Sequence, residues 1–221
     1  MTEKEWDKKL KIETNGRLDG HADEYHHPYE PTPYCVLKRL AESGYITEDS
    51  KVLDYGCGKG RVGFFLHYRL GCSVVGIEYD EKICAKAREN LKSYVGGASV
   101  GVQHVGRDGA SAGAKSPCKG NVSGKVQFVC QDAKDFQVQA ADCFYFFNPF
   151  SLEILQSVLG RILESYYEAP RSMQLFFYYP ADEYVAYLMT REELLFVDEI
   201  DCGDLFAGEN MRERILIFEV L

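Results

Sequence analysis

Val52-Leu53-Asp54-Tyr55-Gly56-Cys57-Gly58-Lys59-Gly60-Arg61 sets three glycines at alternate positions directly after a short apolar run that begins at Lys51. Few folds accept that pattern. Lys59 to Leu70 then has helical spacing, with Val62, Phe65, Leu66 and Leu70 on one side. A strand that turns through glycines into a helix brings backbone close to a ligand, because glycine has no Cβ to block the approach. The helix start adds unpaired N–H groups and the positive end of a dipole. A small ligand carrying a carboxylate and a ribose suits such a turn.

The rest of the chain repeats the strand–helix rhythm. Ser73 to Ile77 reads as a second buried strand, and Asp80 is placed to cap a helix running to about Tyr94. Strand signals recur at Val126–Cys130, Cys143–Phe147, Met173–Tyr179, Leu194–Cys202 and Arg214–Val220. Amphipathic helices separate them at Ser151–Glu168 and Ala181–Thr190. Alternation of this kind predicts an α/β fold with a mainly parallel sheet covered on both faces. Between the last two strands only Gly203–Arg212 remains, too short for a crossover helix, so they are expected to form an antiparallel hairpin at the sheet edge. The expected architecture is a doubly wound, mainly parallel seven-stranded sheet with that hairpin at its C-terminal edge.

Domain organisation follows from where this rhythm stops. Residues 1–28 read as an N-terminal extension and 29–221 as one domain. From Val95 to Gly124 there are eight glycines, several serines and few large apolar residues. Such a composition does not offset its ordering entropy, so 95–124 is expected to be a flexible surface insertion, either a tolerated loop or a flap over substrate. A charged N-terminus without an apolar h-region argues against a signal peptide. No apolar run reaches the ~18 residues of a membrane span, and the expected compartment is the cytoplasm. The eight cysteines form no C-x-x-C pair, and no histidine pair accompanies them at zinc-ligand spacing. Reduced structural thiols and no metal are expected. The formal net charge is −9, and from Ala181 to Leu221 eleven acids face three bases. That balance disfavours a nucleic-acid backbone as partner, leaving a small molecule or a protein as the expected substrate and structured RNA behind them. The oligomeric state is not legible.

The glycine run resembles motif I of class I S-adenosylmethionine-dependent methyltransferases, whose Rossmann-like domain fits the expected sheet. The resemblance implies that Gly56, Cys57, Gly58 and Gly60 cradle the methionine part of S-adenosylmethionine, and that Asp54 reaches its amino group directly or through water. Gly58-x-Gly60-x-x-Gly63 also satisfies the dinucleotide fingerprint, with Glu78 about twenty residues on. Asp54 two residues ahead of the first glycine, together with motifs further on, favours the methyltransferase over an NAD-dependent oxidoreductase. Val75-Gly76-Ile77-Glu78-Tyr79 resembles motif II, implying that Glu78 accepts the ribose hydroxyls and Tyr79 packs on the adenine. Phe128-Val129-Cys130-Gln131-Asp132-Ala133 resembles the third motif, implying that Asp132 accepts from the adenine amine while the Ala133 N–H meets the ring. Asp132 also suits the N-cap of a helix beginning near Ala133, and the two roles are compatible.

Phe146-Phe147-Asn148-Pro149-Phe150 stands at the place of motif IV. It resembles the Asn-Pro-Pro-Tyr/Phe tetrapeptide of methyltransferases acting on amino or amide nitrogens. In that reading Asn148 and the Pro149 carbonyl accept from the target NH2, Phe150 stacks on it, and catalysis is mainly positioning. Asn148 then also borders the cofactor. The single proline departs from the tetrapeptide, and a plain strand-to-helix turn is the alternative. Upstream, His26-His27-Pro28-Tyr29-Glu30-Pro31-Thr32-Pro33-Tyr34 occupies the place of the segment that precedes motif I. Tyr29 and Thr32 are its candidate contacts to the methionine end, and Thr32 is also placed to cap the next helix with Pro33 following. Tyr178 or Tyr179, at the end of the fifth strand, is a candidate for the acceptor pocket. A protein that binds the cofactor without transferring methyl is the reading from another functional class.

Overall fold

A computed structural model describes residues 1–16, 29–94, 124–208 and 210–221. The glycine-rich stretch, apart from Gly124, and His26, His27 and Cys118 lie outside the described residues. Among the described residues the seven strands are β1 (Lys51–Tyr55), β2 (Ser73–Glu78), β3 (Val126–Cys130), β4 (Cys143–Phe146), β5 (Gln174–Tyr178), β6 (Leu194–Asp201) and β7 (Arg214–Val220). The helices are α1 (Glu3–Leu10), α2 (Tyr34–Glu42), α3 (Arg61–Leu70), α4 (Glu81–Ser93), α5 (Leu152–Glu168) and α6 (Asp182–Leu188). They build one sheet in the order β3-β2-β1-β4-β5-β7-β6. The first five strands are parallel, while β7 runs antiparallel between β5 and β6. The expected edge hairpin is therefore present, and its second strand, β7, is the one inserted into the sheet.

Two apolar layers hold the sheet. One face packs α1, α2 and α3 through Trp6, Leu10, Tyr34, Leu37, Phe64 and Phe65. The other packs α5 and α6 through Leu155, Leu159, Ile162, Tyr184 and Leu188. Period-two alternation decides what each central strand presents. Tyr55, Phe146 and Phe177 are register partners and stack with centroids 5.0 and 4.6 Å apart. Their neighbours Asp54, Tyr145 and Phe176, also register partners, face the opposite layer.

Helix starts follow local chemistry unevenly. The Asp80 carboxylate accepts from Lys82 and Ile83 N–H, both at 2.8 Å, as expected of a cap. Thr32 does not cap α2: Pro33 holds the cap position without a side-chain bond. The Thr32 hydroxyl is instead buried 3.1 Å from Tyr145 Oη, where a residue exposed at a helix end would have met water. Ser151 sits at the cap of α5, but its hydroxyl makes no cap bond.

The N-terminal segment packs into this layer. Trp6 lies edge-on to Phe65 at 5.0 Å. The buried Asp7 carboxylate accepts from Thr14 N and Oγ1, both at 2.7 Å, and from Tyr34 Oη at 2.6 Å. Arg61, in the first turn of α3 and equally buried, donates Nε to Thr14 Oγ1 at 2.8 Å and pairs with Glu3. Residues 13–16 thereby lie against the glycine turn.

Candidate functional site

A cavity of about 550 Å³ opens over the C-terminal ends of β1, β2, β4 and β5, where open α/β sheets bind their ligands. Asp54, the fourth residue of β1, lines it and is only 2% exposed. Its Oδ2 has no hydrogen-bond partner among the described residues. Burial first, and the neighbouring Glu78 second, push its carboxyl up to about 8. A buried acid left without a donor is costly unless a ligand supplies one.

The glycine turn after Asp54 is held from β2. Gly56 and Cys57 N–H donate to the Ile77 carbonyl at 2.9 and 3.0 Å, and Gly58 N–H donates to Glu78 Oε2 at 2.9 Å. Glu78 Oε1 accepts from Asp80 N–H at 2.9 Å. Glu78 thus fixes the turn and the start of α4 together while lining the cavity. Gly56 and Gly58 have φ of +71° and +57°. A Cβ on Gly56 would stand 2.4 Å from Pro149 Cβ, and one on Gly58 would stand 2.2 Å from the Tyr29 ring. The missing side chains therefore let Pro149 and Tyr29 close onto the turn. Gly60 instead faces the Phe64 and Phe128 rings.

The other sequence candidates divide. Tyr29, Thr32, Asp54, Gly56, Cys57, Glu78, Tyr79, Ala133, Asn148, Pro149 and Phe150 all line the same cavity. Tyr29 is tied by its hydroxyl to the Thr14 carbonyl at 2.6 Å, with the Lys59 ammonium 4.8 Å from its ring centre. Tyr79 is half exposed at the rim. Asp132 takes its capping role: Oδ1 accepts from Lys134 N–H at 3.1 Å and Oδ2 pairs with Lys134 Nζ at 2.9 Å. Its neighbours Gln131 and Ala133 line the cavity there. Phe150 is 2% exposed, and its carbonyl accepts from Tyr184 Oη.

Backbone strain marks the far half of the cavity. Asn148 and Tyr179 have φ of +42° and +51°, and each stands just beyond the end of a central strand, β4 and β5. Asparagine visits that region with little penalty, whereas tyrosine does so rarely, and such residues gather at functional sites. The Phe147 ring lies 4.7 Å from that of Tyr178. Tyr178 Oη donates to Glu213 Oε2 at 2.6 Å, and Arg212 stacks 4.3 Å over Tyr179. Sequence reasoning did not single out Arg61, Tyr145, Phe147, Arg212 or Glu213, although all line the cavity. Arg212 and Glu213 sit in an acidic loop without periodicity, and only the placement of β7 beside β5 brings them to the site.

Acidic side chains outnumber basic ones in the cavity lining. Glu30, Asp54, Glu78, Asp80 and Glu213 line it against Arg61 and Arg212, and Arg61 is already paired with Glu3. Such a cleft concentrates cationic ligands. A molecule carrying an ammonium and a sulfonium, with hydroxyls for Glu78, fits these residues. Asp54 supplies the orphaned acceptor.

Comparison with known proteins agrees on the fold. Residues 46–102 match the family model of a methyltransferase domain, a stretch that contains β1, the glycine turn and β2. A protein-lysine N-methyltransferase of Saccharolobus islandicus is 32% identical over 68 residues, which is 30% of this chain and 42% of that protein. The chain thus matches less than half of that relative's length. A TehB-like SAM-dependent methyltransferase from Corynebacterium glutamicum superposes with TM-score 0.51 at 15% identity, over 83% of this chain and 86% of that one. A Pyrococcus abyssi tRNA (uracil-54, C5)-methyltransferase, solved with S-adenosyl-L-homocysteine, superposes with TM-score 0.52 at 14% identity, over 87% and 40%. The Rossmann-like fold of these methyltransferases is the fold of this chain. No described helix is long and apolar enough to cross a membrane.

Proposed function

We propose that this chain is an S-adenosylmethionine-dependent methyltransferase whose acceptor is a nitrogen on a small molecule or protein. The buried Asp54 carboxylate, with one oxygen unpartnered beside the Glu78-fastened glycine turn, carries the reading. The matched methyltransferase domain over 46–102 supports it. The name of the Saccharolobus relative supports a nitrogen acceptor.

When bound, the cofactor supplies an electrophilic methyl on a sulfonium. The chain's own residues bind, orient and exclude water. Asp54 would hold the ammonium of the methionine part and Glu78 the ribose hydroxyls, with Tyr29 closing over Gly58 and Ile77, Tyr79 and Ala133 bordering the adenine. Asn148, held at positive φ beside Pro149, would accept from the acceptor N–H and aim the lone pair.

Calorimetric titration with S-adenosylhomocysteine, with NAD in parallel, tests the cofactor. Micromolar binding of the first and none of the second is expected. Glu78→Ala removes the acceptor of Gly58 N–H along with the ribose acceptor, and should weaken S-adenosylhomocysteine about 30-fold. Binding of NAD alone would overturn the reading. The acceptor role is tested by Asn148→Ala, assayed by label transfer from S-adenosylmethionine into a panel of amines and proteins. Transfer should fall about 100-fold with S-adenosylhomocysteine affinity kept within about twofold. Undiminished transfer would remove Asn148 from catalysis and leave Asn148-Pro149 as a turn.

A further inference from the structure

The acceptor end of the cavity is built from β5 and the segment entering β7. In the sheet, β2 with its cofactor-side Glu78 is separated from β7 by β1, β4 and β5. Glu213 therefore stands on the far side of Asn148 from Glu78. Tyr178, 2% exposed, donates its hydroxyl to Glu213 Oε2 at 2.6 Å. A bond from a buried, strand-anchored phenol leaves the carboxylate little rotamer freedom. No described residue donates to Oε1, and no described Lys, Arg or His pairs with Glu213. The nearest candidate, Arg212, is committed elsewhere. Its Nε and Nη2 donate to the Pro180 and Tyr179 carbonyls at 3.1 and 3.2 Å, and its plane stacks on Tyr179. Those bonds hold the Arg212 guanidinium on the carbonyls and the Tyr179 ring, not in an ion pair with Glu213.

Aromatic faces complete the wall. The Phe147 ring stands 4.7 Å from Tyr178 and 6.3 Å from Tyr179. A fixed carboxylate next to π faces recognises a cation with N–H donors: the acid takes the charge-assisted bond and the rings take the alkyl stem and residual charge. A neutral hydroxyl gains little from either. An anionic acceptor would face Glu213 itself, with Glu30, Glu78 and Asp80 also in the lining.

We infer that Glu213, held in place by its bond from Tyr178 in the same lining as Phe147, binds the acceptor as a primary alkyl ammonium. This rests on the methyltransferase reading above. The ammonium gives up one proton to solvent by way of the carboxylate, which frees the nitrogen lone pair. The N–C bond then forms as the C–S bond breaks, the thioether leaves neutral, and the positive charge stays on the methylated nitrogen.

The test uses nitrogen-for-sulfur analogues of S-adenosylhomocysteine whose nitrogen carries an aminoethyl, a hydroxyethyl or a carboxymethyl arm. The full chain should bind the aminoethyl compound about tenfold more tightly than the hydroxyethyl one. In Glu213→Gln that preference should fall to within about twofold, with S-adenosylhomocysteine itself bound as before. Tyr178→Phe keeps the acid but frees it, and should lose part of the preference, which covers the case where Glu213→Gln fails to fold. Equal binding of the aminoethyl and hydroxyethyl compounds overturns the inference. Tightest binding of the carboxymethyl compound would assign the acceptor to Arg212 as an anion and overturns it too. Failure of S-adenosylhomocysteine to bind would instead strike the cofactor reading on which the inference rests.

Discussion

Asp54→Asn should weaken S-adenosylhomocysteine binding about 100-fold or more while raising the melting temperature of the ligand-free protein at pH 8. The two effects have one cause. Burial and the neighbouring Glu78 hold the Asp54 carboxyl at about 8 in the folded chain, against about 4 when unfolded. Between those values the folded state keeps a proton that the unfolded state releases. Stability of the ligand-free protein therefore falls as pH rises through that window, by at most about 1.4 kcal/mol per unit. Asparagine does not titrate, so the variant should lose this slope and gain most over wild type at the alkaline end. A gain of only about 1–2 kcal/mol is expected, because the amide in turn needs partners, and that is a few degrees in a chain of this size. Binding an ammonium requires Asp54 to ionise. Wild-type affinity should thus rise from pH 6.5 to about pH 8, with up to about one proton released per ligand, while the variant's affinity stays flat. Thermal melts at several pH values and calorimetry in buffers of different ionisation enthalpy read both effects. A variant that melts lower at pH 8 and binds normally would mean that Asp54 serves the fold and not the ligand.

That Asp54 could be singled out beforehand, though not its burial, shows where the sequence was legible. Asp54 stands at the end of an apolar run and ahead of alternate glycines, and both patterns are local. So are the Asp80 cap, the strand periods and the short link that makes the β6–β7 hairpin. The half of the cavity built on β1 and β2, adjacent in sequence and in space, holds lining residues such as Asp54, Gly56 and Glu78 that the sequence singled out by number. The other half comes from elements far apart in the chain. Glu213 reaches the site because β7 inserts beside β5, and no spacing of apolar residues announces that. Tyr179 carries its strain in a φ angle that the sequence does not show. Thr32 misled for a related reason: a hydroxyl before a helix is worth most as a cap when exposed, and here tertiary packing buries it against Tyr145. Asp132 had two compatible roles on paper, and its bonds to Lys134 display the capping one.

Asp7→Ala should cost about 3–5 kcal/mol, the scale of breaking a buried ionic cluster from one side. Nothing in the spacing of residues 1–28 distinguished Asp7 from the lysines and glutamates around it. In the fold it is 5% exposed and accepts from five donors: Thr14 N and Oγ1, Asn15 N and Nδ2, and Tyr34 Oη. Thr14 and Asn15 pass its charge on to the buried Arg61, whose Nε and Nη2 donate to their side-chain oxygens at 2.8 and 3.0 Å. Removing the carboxylate leaves those donors unmatched and leaves Arg61, among the described residues, paired with Glu3, whose side chain is 43% exposed. The melting temperature should drop by about 10 °C. Asp7→Asn, which keeps shape and one acceptor, should cost less than half as much. The effect reaches the site as well. Tyr29, which closes over Gly58, is anchored on the Thr14 carbonyl, so the folded fraction of Asp7→Ala should bind S-adenosylhomocysteine several-fold more weakly than wild type. A loss of under about 1 kcal/mol with normal binding would make residues 1–16 an appendage. A large loss in both would make residues 1–16 part of the folded domain, holding the glycine turn that Gly58 and Tyr29 form together.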